Sequence, residues 1–100
     1  VFEGFLPRKK GRKKRLQELA EDVRTIVFYE SPFRLVKTLS QLAEHFGADR
    51  PACVCREISK IFEETQRGPL KELKDYFLKN PPKGEIVIIT GGREKIKSYS

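Results

Sequence analysis

Six charged side chains lie on a predicted hairpin, in an arrangement that could handle protons or anions. A carboxylate can take a proton from a reacting hydroxyl, and an ammonium group can position an anion beside it. These residues fall near strand ends, where ligand sites of α/β proteins tend to lie. The alternative is a set of exposed cross-strand ion pairs, each worth little, and side-chain chemistry alone favours it. The cluster consists of Arg56, Glu57, Lys60, Glu63, Glu64 and Arg67.

The basic segment, residues 8–15, is the second candidate site. The chain has 21 basic and 14 acidic residues and a net charge of +7, and the seven basic residues of this segment account for the whole excess. Like charges repel, so we expect the segment to be mobile, to stay out of the core and to contribute little to the fold. RNA phosphates would order it through counterion release. A solvated loop that confers solubility and an anionic membrane surface are the alternatives. The basic residues are Arg8, Lys9, Lys10, Arg12, Lys13, Lys14 and Arg15.

Other residues with chemical potential give weaker signals. Gly91 and Gly92 follow an apolar run and could admit a ligand close to the backbone, although a simple turn is the favoured interpretation. His45 lies near the end of a predicted helix and has no evident nucleophile partner. Cys53 and Cys55 are too few for a zinc site. We expect buried, reduced thiols that are not bridged, because side chains at i and i+2 of a strand run parallel.

The apolar pattern predicts five strands and three helices in the order β-α-β-α-β-β-α-β. Predicted strands cover residues 2–6, 25–29, 52–56, 61–67 and 85–90, and the second should be covered on both faces. The first helix should turn Leu16, Leu19, Ala20 and Val23 inward. The second should begin at the cap Ser31 with Pro32 and end at Gly47, and the third should begin after Gly68 and Pro69. The predicted fold class is α/β, with a single-domain mixed sheet of about five strands flanked by helices, including one hairpin. The longest apolar runs, 26–29 and 86–89, are far below the roughly 20 residues of a membrane span.

Four stretches of the chain together resemble the tetrapyrrole-methylase superfamily. They are Phe-Leu-Pro-Arg-Lys-Lys-Gly at 5–11, Thr-Ile-Val-Phe-Tyr-Glu-Ser-Pro-Phe-Arg-Leu at 25–35, Arg-Glu-Ile-Ser-Lys at 56–60 with its continuation to residue 68, and Gly-Glu-Ile-Val-Ile at 84–88. Within the superfamily the likeness is to the members that methylate small-subunit ribosomal RNA. Many of those carry His after the Ser-Pro, whereas this chain has Phe33, so no imidazole role is assigned there.

The resemblance implies one half of a two-domain enzyme that uses S-adenosylmethionine. Residues 1–92 would form the C-terminal methylase domain, excised from a larger protein, and residues 93–100 a polar tail; the chain has no methionine. The missing N-terminal methylase domain would carry the glycine-rich cofactor motif. The cofactor would lie in the cleft between the two domains. On this chain it would meet the ends of buried strands, at Tyr29, Glu30, Ile58, Thr90 and Gly91.

The implied reaction transfers a methyl group to the ribose 2′-hydroxyl of a cytidine in 16S RNA. Glu30, Glu57 and Lys60 are the candidates for positioning or proton handling, and the sequence does not choose among them. No metal is implied. The resemblance suggests a cytoplasmic homodimer whose basic segment contacts ribosomal RNA. A C-methyltransferase of corrin or porphyrin precursors and a non-enzymatic basic RNA-binding module are the alternatives.

Overall fold

The predicted order of strands and helices is confirmed. The computed structural model describes residues 2–57 and 63–92, and of Glu57 and Glu63 it describes only the backbone. The elements are β1 (Phe2–Phe5), α1 (Arg12–Ala20), β2 (Ile26–Glu30), α2 (Leu35–Phe46), β3 (Pro51–Glu57), β4 (Glu63–Pro69), α3 (Leu70–Lys79) and β5 (Ile86–Thr90). The fold is therefore α/β with a five-stranded mixed sheet, as predicted. Residues 93–100, the predicted tail, lie outside the described residues.

The direction of β5 determines which residues meet at each edge of the sheet. The strand order is β1-β2-β5-β3-β4. β1 and β2 are parallel, whereas β5 is antiparallel to both of its neighbours, β2 and β3. The carboxyl ends of β1, β2 and β3 therefore share one edge with the start of β5. We call this the upper edge, marked by Phe5, Glu30 and Ile86, and the opposite one the lower edge, marked by Ile26 and Thr90.

One hydrophobic core lies between the sheet and its helices. Alternate strand residues face it, among them Phe28, Val54 and Ile88, and they join the buried leucines of all three helices in a single cluster. The next residue along β2, Tyr29, has 41% of its surface exposed. The prediction that this strand is covered on both faces is thus wrong for the described residues. Within them the helices pack on one side, so the sheet buries alternate positions.

Two helix boundaries differ from the sequence prediction. α1 ends at Ala20 and leaves Val23 half exposed, because Asp22 accepts hydrogen bonds from the backbone and guanidinium of Arg24 and turns the chain. α2 begins at Leu35 with Arg34 as its N-cap residue, three positions later than predicted. The Ser31 hydroxyl instead accepts a hydrogen bond from the Phe33 N–H and stabilises a preceding turn.

The two cysteines are unbridged, as predicted, but they are half-buried and not enclosed in the core. Their sulfur atoms lie 3.5 Å apart on the face of β3 opposite the helices. Burial raises the pKa of the Cys53 thiol, and the neighbouring Cys55 reinforces the shift. The Cys53 thiol therefore favours the protonated form. No helix in the described residues has the length and apolar character needed to cross a membrane.

The glycine pair after β5 packs against other backbone segments. A β-carbon on Gly92 would lie 2.1 Å from the Val23 carbonyl oxygen, whereas one on Gly91 would lie 3.4 Å from the Pro51 carbonyl oxygen. The Gly91 N–H donates to Pro51, and its carbonyl accepts from the Arg50 guanidinium. The pair is therefore not a free turn, although Gly91 also lines a cleft of about 350 Å³ with residues of β3, β4 and β5. It allows β5 to end close to the chain that enters β2.

We predict that Gly92→Ala destabilises the domain by about 1–3 kcal/mol, because the added methyl group meets rigid backbone. Gly91→Ala is the matched control and should cost clearly less, since its new contact is near ordinary van der Waals distance. Urea unfolding of both variants measures the difference. Equal stability of the two variants would contradict the close approach at Gly92.

Candidate functional site

The upper edge brings together several of the residues singled out from the sequence. Glu30 ends β2, and the backbone of Glu57 ends β3. Because Glu30 and Arg56 both pair with Ile86, two inter-strand spacings, or about 9–10 Å, separate β2 from β3 at this level. The basic segment follows β1 and so starts at the same edge. Acidic candidates and basic residues thus share one end of the sheet.

Glu30 is held by a buried chain of hydrogen bonds. Its Oε1 accepts from the Ser31 N–H at 2.8 Å, and its Oε2 accepts from the Thr38 hydroxyl at 2.5 Å. Thr38 in turn accepts from Nη2 of Arg12 at 2.9 Å. Arg34 lies 3.8 Å from the same carboxylate. Since Glu30 is 8% exposed, a charge placed there needs these partners.

Arg12 corrects the expectation that the basic segment stays outside the fold. It is 6% exposed, and its guanidinium also donates to Gln41 Oε1 and to the Pro7 carbonyl. Burial lowers the pKa of Arg12, an effect that the charge of Glu30 opposes. The expectation failed because it allowed for no internal partner: Arg12 is paired through Thr38 and Gln41, so its charge does not stay uncompensated.

Arg15 is also committed to the fold. It forms a two-pronged pair with Glu3 at 2.6 and 2.8 Å, which ties α1 to β1, and this hydrogen bonding raises the pKa of Arg15. The pairing register of β1 with β2 shifts between Phe2 and Gly4, at the position of Glu3. The segment is therefore a turn leading into a helix and contributes to the fold. Its exposed residues are Arg8, Lys9, Lys10, Lys13 and Lys14.

The structure separates Thr90 and Gly91 from the other expected cofactor residues. Thr90 pairs with Ile26, four residues before Glu30, which places it about 13 Å from Glu30 at the lower edge. Its hydroxyl is fully buried and has no hydrogen-bond partner among the described residues. The expectation assumed that all the buried strands end at the same edge of the sheet. Because β5 runs antiparallel to β2 and β3, its carboxyl end lies at the opposite edge. Ile58 and Lys60, like the Glu57 side chain, lie outside the described residues.

A cleft of about 360 Å³ at the upper edge, the aromatic cleft, suits part of S-adenosylmethionine. It is lined by Phe5, Tyr29, Glu30, Glu85, Ile86 and Val87. The ring centroids of Phe5 and Tyr29 lie 5.4 Å apart and form an exposed aromatic wall. Aromatic faces can stack on adenine, and carboxylates can accept hydrogen bonds from ribose or face a sulfonium cation. The residues present at this edge therefore fit the cofactor, whereas the enclosed Thr90 hydroxyl does not.

A second cleft, the arginine cleft, opens beside Glu30. It has a volume of about 250 Å³ and is lined by Phe5, Leu6, Arg8, Arg12, Glu30, Ser31 and Arg34. Sequence reasoning missed Arg34 and Thr38 here. They lie four and eight residues after Glu30 in the sequence. That spacing brings them to Glu30 only because the chain turns between the end of β2 and the start of α2. Among the described residues, no three His, Cys, Asp or Glu side chains come close enough to hold a metal ion.

Three other charged candidates, Arg56, Glu64 and His45, lie in local side-chain contacts. Arg56 and Glu64 face each other across β3 and β4 with 2.9 Å between Arg56 Nε and Glu64 Oε1, so this pair is a cross-strand ion pair. His45 lies in the last turn of α2, with Nε2 3.7 Å from an Oε1 of Glu44. Neither arrangement presents a nucleophile.

Comparison with known proteins identifies the family. The sequence profile of the tetrapyrrole (corrin/porphyrin) methylases matches residues 1–74. This chain belongs to the tetrapyrrole methylase family. Its fold is similar to that of the cobalamin biosynthetic enzyme cobalt precorrin-4 methyltransferase, with a TM-score of 0.67, 19% identity and coverage of 91% of this chain and 40% of the other. That similarity at low identity reflects the shared fold.

Three bacterial relatives with much higher identity are all named ribosomal RNA small subunit methyltransferase I. The protein from Pseudomonas aeruginosa is 44% identical over 92% of this chain and 34% of its own length. The Thermotoga maritima protein is 44% identical over 94% of this chain and 42% of its own length. The Mycobacterium tuberculosis protein is 47% identical over 91% of this chain and 32% of its own length. The chain thus spans about a third to two fifths of these relatives.

We predict that Thr38→Val destabilises the domain by about 1–3 kcal/mol, because it leaves a Glu30 oxygen and an Arg12 N–H buried without their partner. Thr38→Ser is the control: it keeps the hydroxyl and should lose about 1 kcal/mol or less for the missing methyl group. Urea unfolding monitored by circular dichroism compares them. A valine variant as stable as the serine variant would show that the hydroxyl chain contributes nothing.

Proposed function

We propose that this chain is the C-terminal domain of an S-adenosylmethionine-dependent methyltransferase acting on small-subunit ribosomal RNA. The observation that carries the proposal is the 44–47% identity to ribosomal RNA small subunit methyltransferase I from three bacteria over more than nine tenths of the chain. The exposed basic residues beside the upper edge support RNA as the partner. The proposed acceptor is the ribose 2′-hydroxyl of a cytidine, and the proposed location is the cytoplasm.

The domain would supply half of the active site. An N-terminal methylase domain would supply the other half, and the complete protein would act as a homodimer. When bound, S-adenosylmethionine supplies a methyl group carried on a sulfonium. Tyr29 and Phe5 would hold its apolar part in the aromatic cleft, and Glu30 and Glu85 would face its polar groups. Excluding water from this edge would strengthen every electrostatic contact there.

The three acidic and basic candidates would divide their roles. Both Glu30 oxygens already accept hydrogen bonds, so we assign Glu30 to positioning: it fixes Arg12, Ser31 and Thr38 around the site. The backbone of Glu57 ends β3 at the same edge, and Lys60 comes three residues later in the sequence, outside the described residues. They remain our candidates for taking the proton that the ribose hydroxyl releases. Among the exposed basic residues, Arg8, Lys9, Lys10, Lys13 and Lys14 would contact phosphates and orient the RNA.

Methyl transfer to isolated small ribosomal subunits tests the proposal. The full-length protein is incubated with labelled S-adenosylmethionine, and the modified nucleotide is identified by mass spectrometry. Label in a single cytidine ribose supports the proposal. Label on a corrin or porphyrin precursor, with none on RNA, would establish the tetrapyrrole alternative. If the full-length protein binds RNA but transfers no methyl group to any substrate, the result would support the alternative of a non-enzymatic RNA-binding module.

We predict that residues 1–100 alone fold cooperatively but transfer no methyl group, because the core is continuous while half of the cofactor site would come from the other domain. Calorimetry checks folding, and the subunit assay checks transfer, with the full-length protein as the positive control. Appreciable turnover by the isolated chain would refute the division of the site between two domains.

We predict that changing Lys9, Lys10, Lys13 and Lys14 to Ala lowers the log-log salt slope of RNA binding by roughly two to four units. All four lysines are exposed, and their substitution leaves Arg12 and Arg15 unchanged, so the melting temperature should change by only a few degrees. Salt titration of full-length protein with a ribosomal RNA fragment measures the slope. The control changes Arg67, Lys71 and Lys74 to Ala, which removes charge from the end of β4 and the first half of α3, away from the upper edge. Equal slopes for the two variants would mean that the basic segment contacts no phosphate.

A further inference from the structure

The arginine cleft differs from the exposed lysines because one of its guanidinium groups, that of Arg12, is buried and held in place. Arg12 is 6% exposed and held by Gln41, Thr38 and the Pro7 carbonyl. A guanidinium has five N–H donors, and these contacts use three of its nitrogens once each, so two N–H groups remain available. The Arg12 guanidinium is therefore oriented before any ligand arrives, which reduces the entropy lost on binding.

Arg8 and Arg34 complete the cleft from two other directions. Arg8 follows β1, is exposed, and forms no ion pair within the described residues. Arg34 precedes α2, and its Nε faces the Glu30 carboxylate at 3.8 Å. Ser31 also lines the cleft. Glu30 thus helps to orient Arg12, through Thr38, and Arg34, which lies beside its carboxylate.

The charge of the cleft selects the kind of ligand. Three guanidinium groups and one carboxylate line it, which leaves a net charge of +2. S-adenosylmethionine carries a sulfonium and an ammonium against one carboxylate, so the cleft repels it overall. A phosphate presents several oxygens to a planar guanidinium fork and accepts paired hydrogen bonds. A neighbouring cleft of about 320 Å³, lined by Lys9, Arg12 and Lys13 among others, continues the positive surface along α1.

We propose that the arginine cleft binds one backbone phosphate of the RNA, gripped by Arg8, Arg12 and Arg34. This proposal rests on the proposed function, because it takes RNA as the substrate. It adds a discrete phosphate seat beside Glu30 to the diffuse contacts of the exposed lysines. The seat places one nucleotide linkage at the same edge as the aromatic cleft, which shares Phe5 and Glu30 with it. It therefore fixes the register of the RNA relative to the reacting ribose.

A thermodynamic cycle with full-length protein tests the phosphate seat. A small-subunit RNA fragment is made with neutral methylphosphonate at one linkage at a time, and its affinity is measured for the unaltered protein and for Arg34→Gln and Arg8→Gln. At one linkage, the neutral substitution should weaken binding to the unaltered protein roughly tenfold, the usual size for a charge-assisted contact. In either variant the same substitution should have little further effect, because the contact is already lost.

Lys71→Gln is the control, since Lys71 is exposed, starts α3 and follows the lower-edge end of β4. It should keep the full tenfold effect. If the affinity loss from the neutral linkage adds to the loss from the arginine substitution at every linkage, in both variants, the proposed phosphate site is wrong. That outcome would not affect the proposal that the protein methylates RNA. A raised KM for S-adenosylmethionine in Arg34→Gln, with unchanged RNA affinity, would assign the cleft to the cofactor carboxylate and overturn the proposal as well. Failure of the unaltered protein to bind the RNA would overturn the proposed function itself.

Discussion

The buried contact between Arg12, Thr38 and Glu30 is the interaction on which the arrangement of the upper edge depends. It joins the start of α1 to the end of β2 and the first turn of α2, which lie 18 and 26 residues further along the chain. Each charged group would be costly to bury alone, since an unpaired charge in a low-dielectric interior loses its hydration without compensation. Together they form a network that holds the basic helix in place and turns it toward the sheet edge.

That network gives the basic segment two different roles. Arg12 and Arg15 face inward and bind α1 to α2 and β1, whereas the lysines between and before them face solvent. A helix separates its residues in this way because positions three apart lie on nearly the same face. The exposed lysines are thereby carried on an ordered backbone, while their side chains extend into solvent. Cations on an ordered backbone lose less entropy on meeting an extended polyanion than those on a mobile arm would.

The reversed β5 is the second constraint, because it divides the strand ends between two edges. Glu30 and Glu57 are brought to the edge reached by the basic segment, while Thr90 and Gly91 go to the other. Backbone packing accounts for the glycines there: Gly92 lies against Val23, and Gly91 bonds to Pro51. The candidate chemistry of this domain is thus concentrated at one edge, with an aromatic cleft and an arginine cleft side by side.

The sequence by itself determined the order of the elements, the α/β class and the family resemblance, since apolar periodicity and local motifs are properties of short segments. The leucines of α2 and the β-branched runs of β2 and β5 could be placed in the core for this reason. Tertiary structure alone decided that Arg12 is buried, that Arg34 and Thr38 belong to the site, and that Thr90 lies far from Glu30. The burial of Arg12 and the role of Thr38 depend on partners 8 to 29 residues away in sequence, and the position of Thr90 depends on strand direction. The contact of Arg34 with Glu30 spans four residues and forms because the chain turns between β2 and α2. Local patterns carry no information about such pairings, because the partners meet only when the sheet and helices assemble.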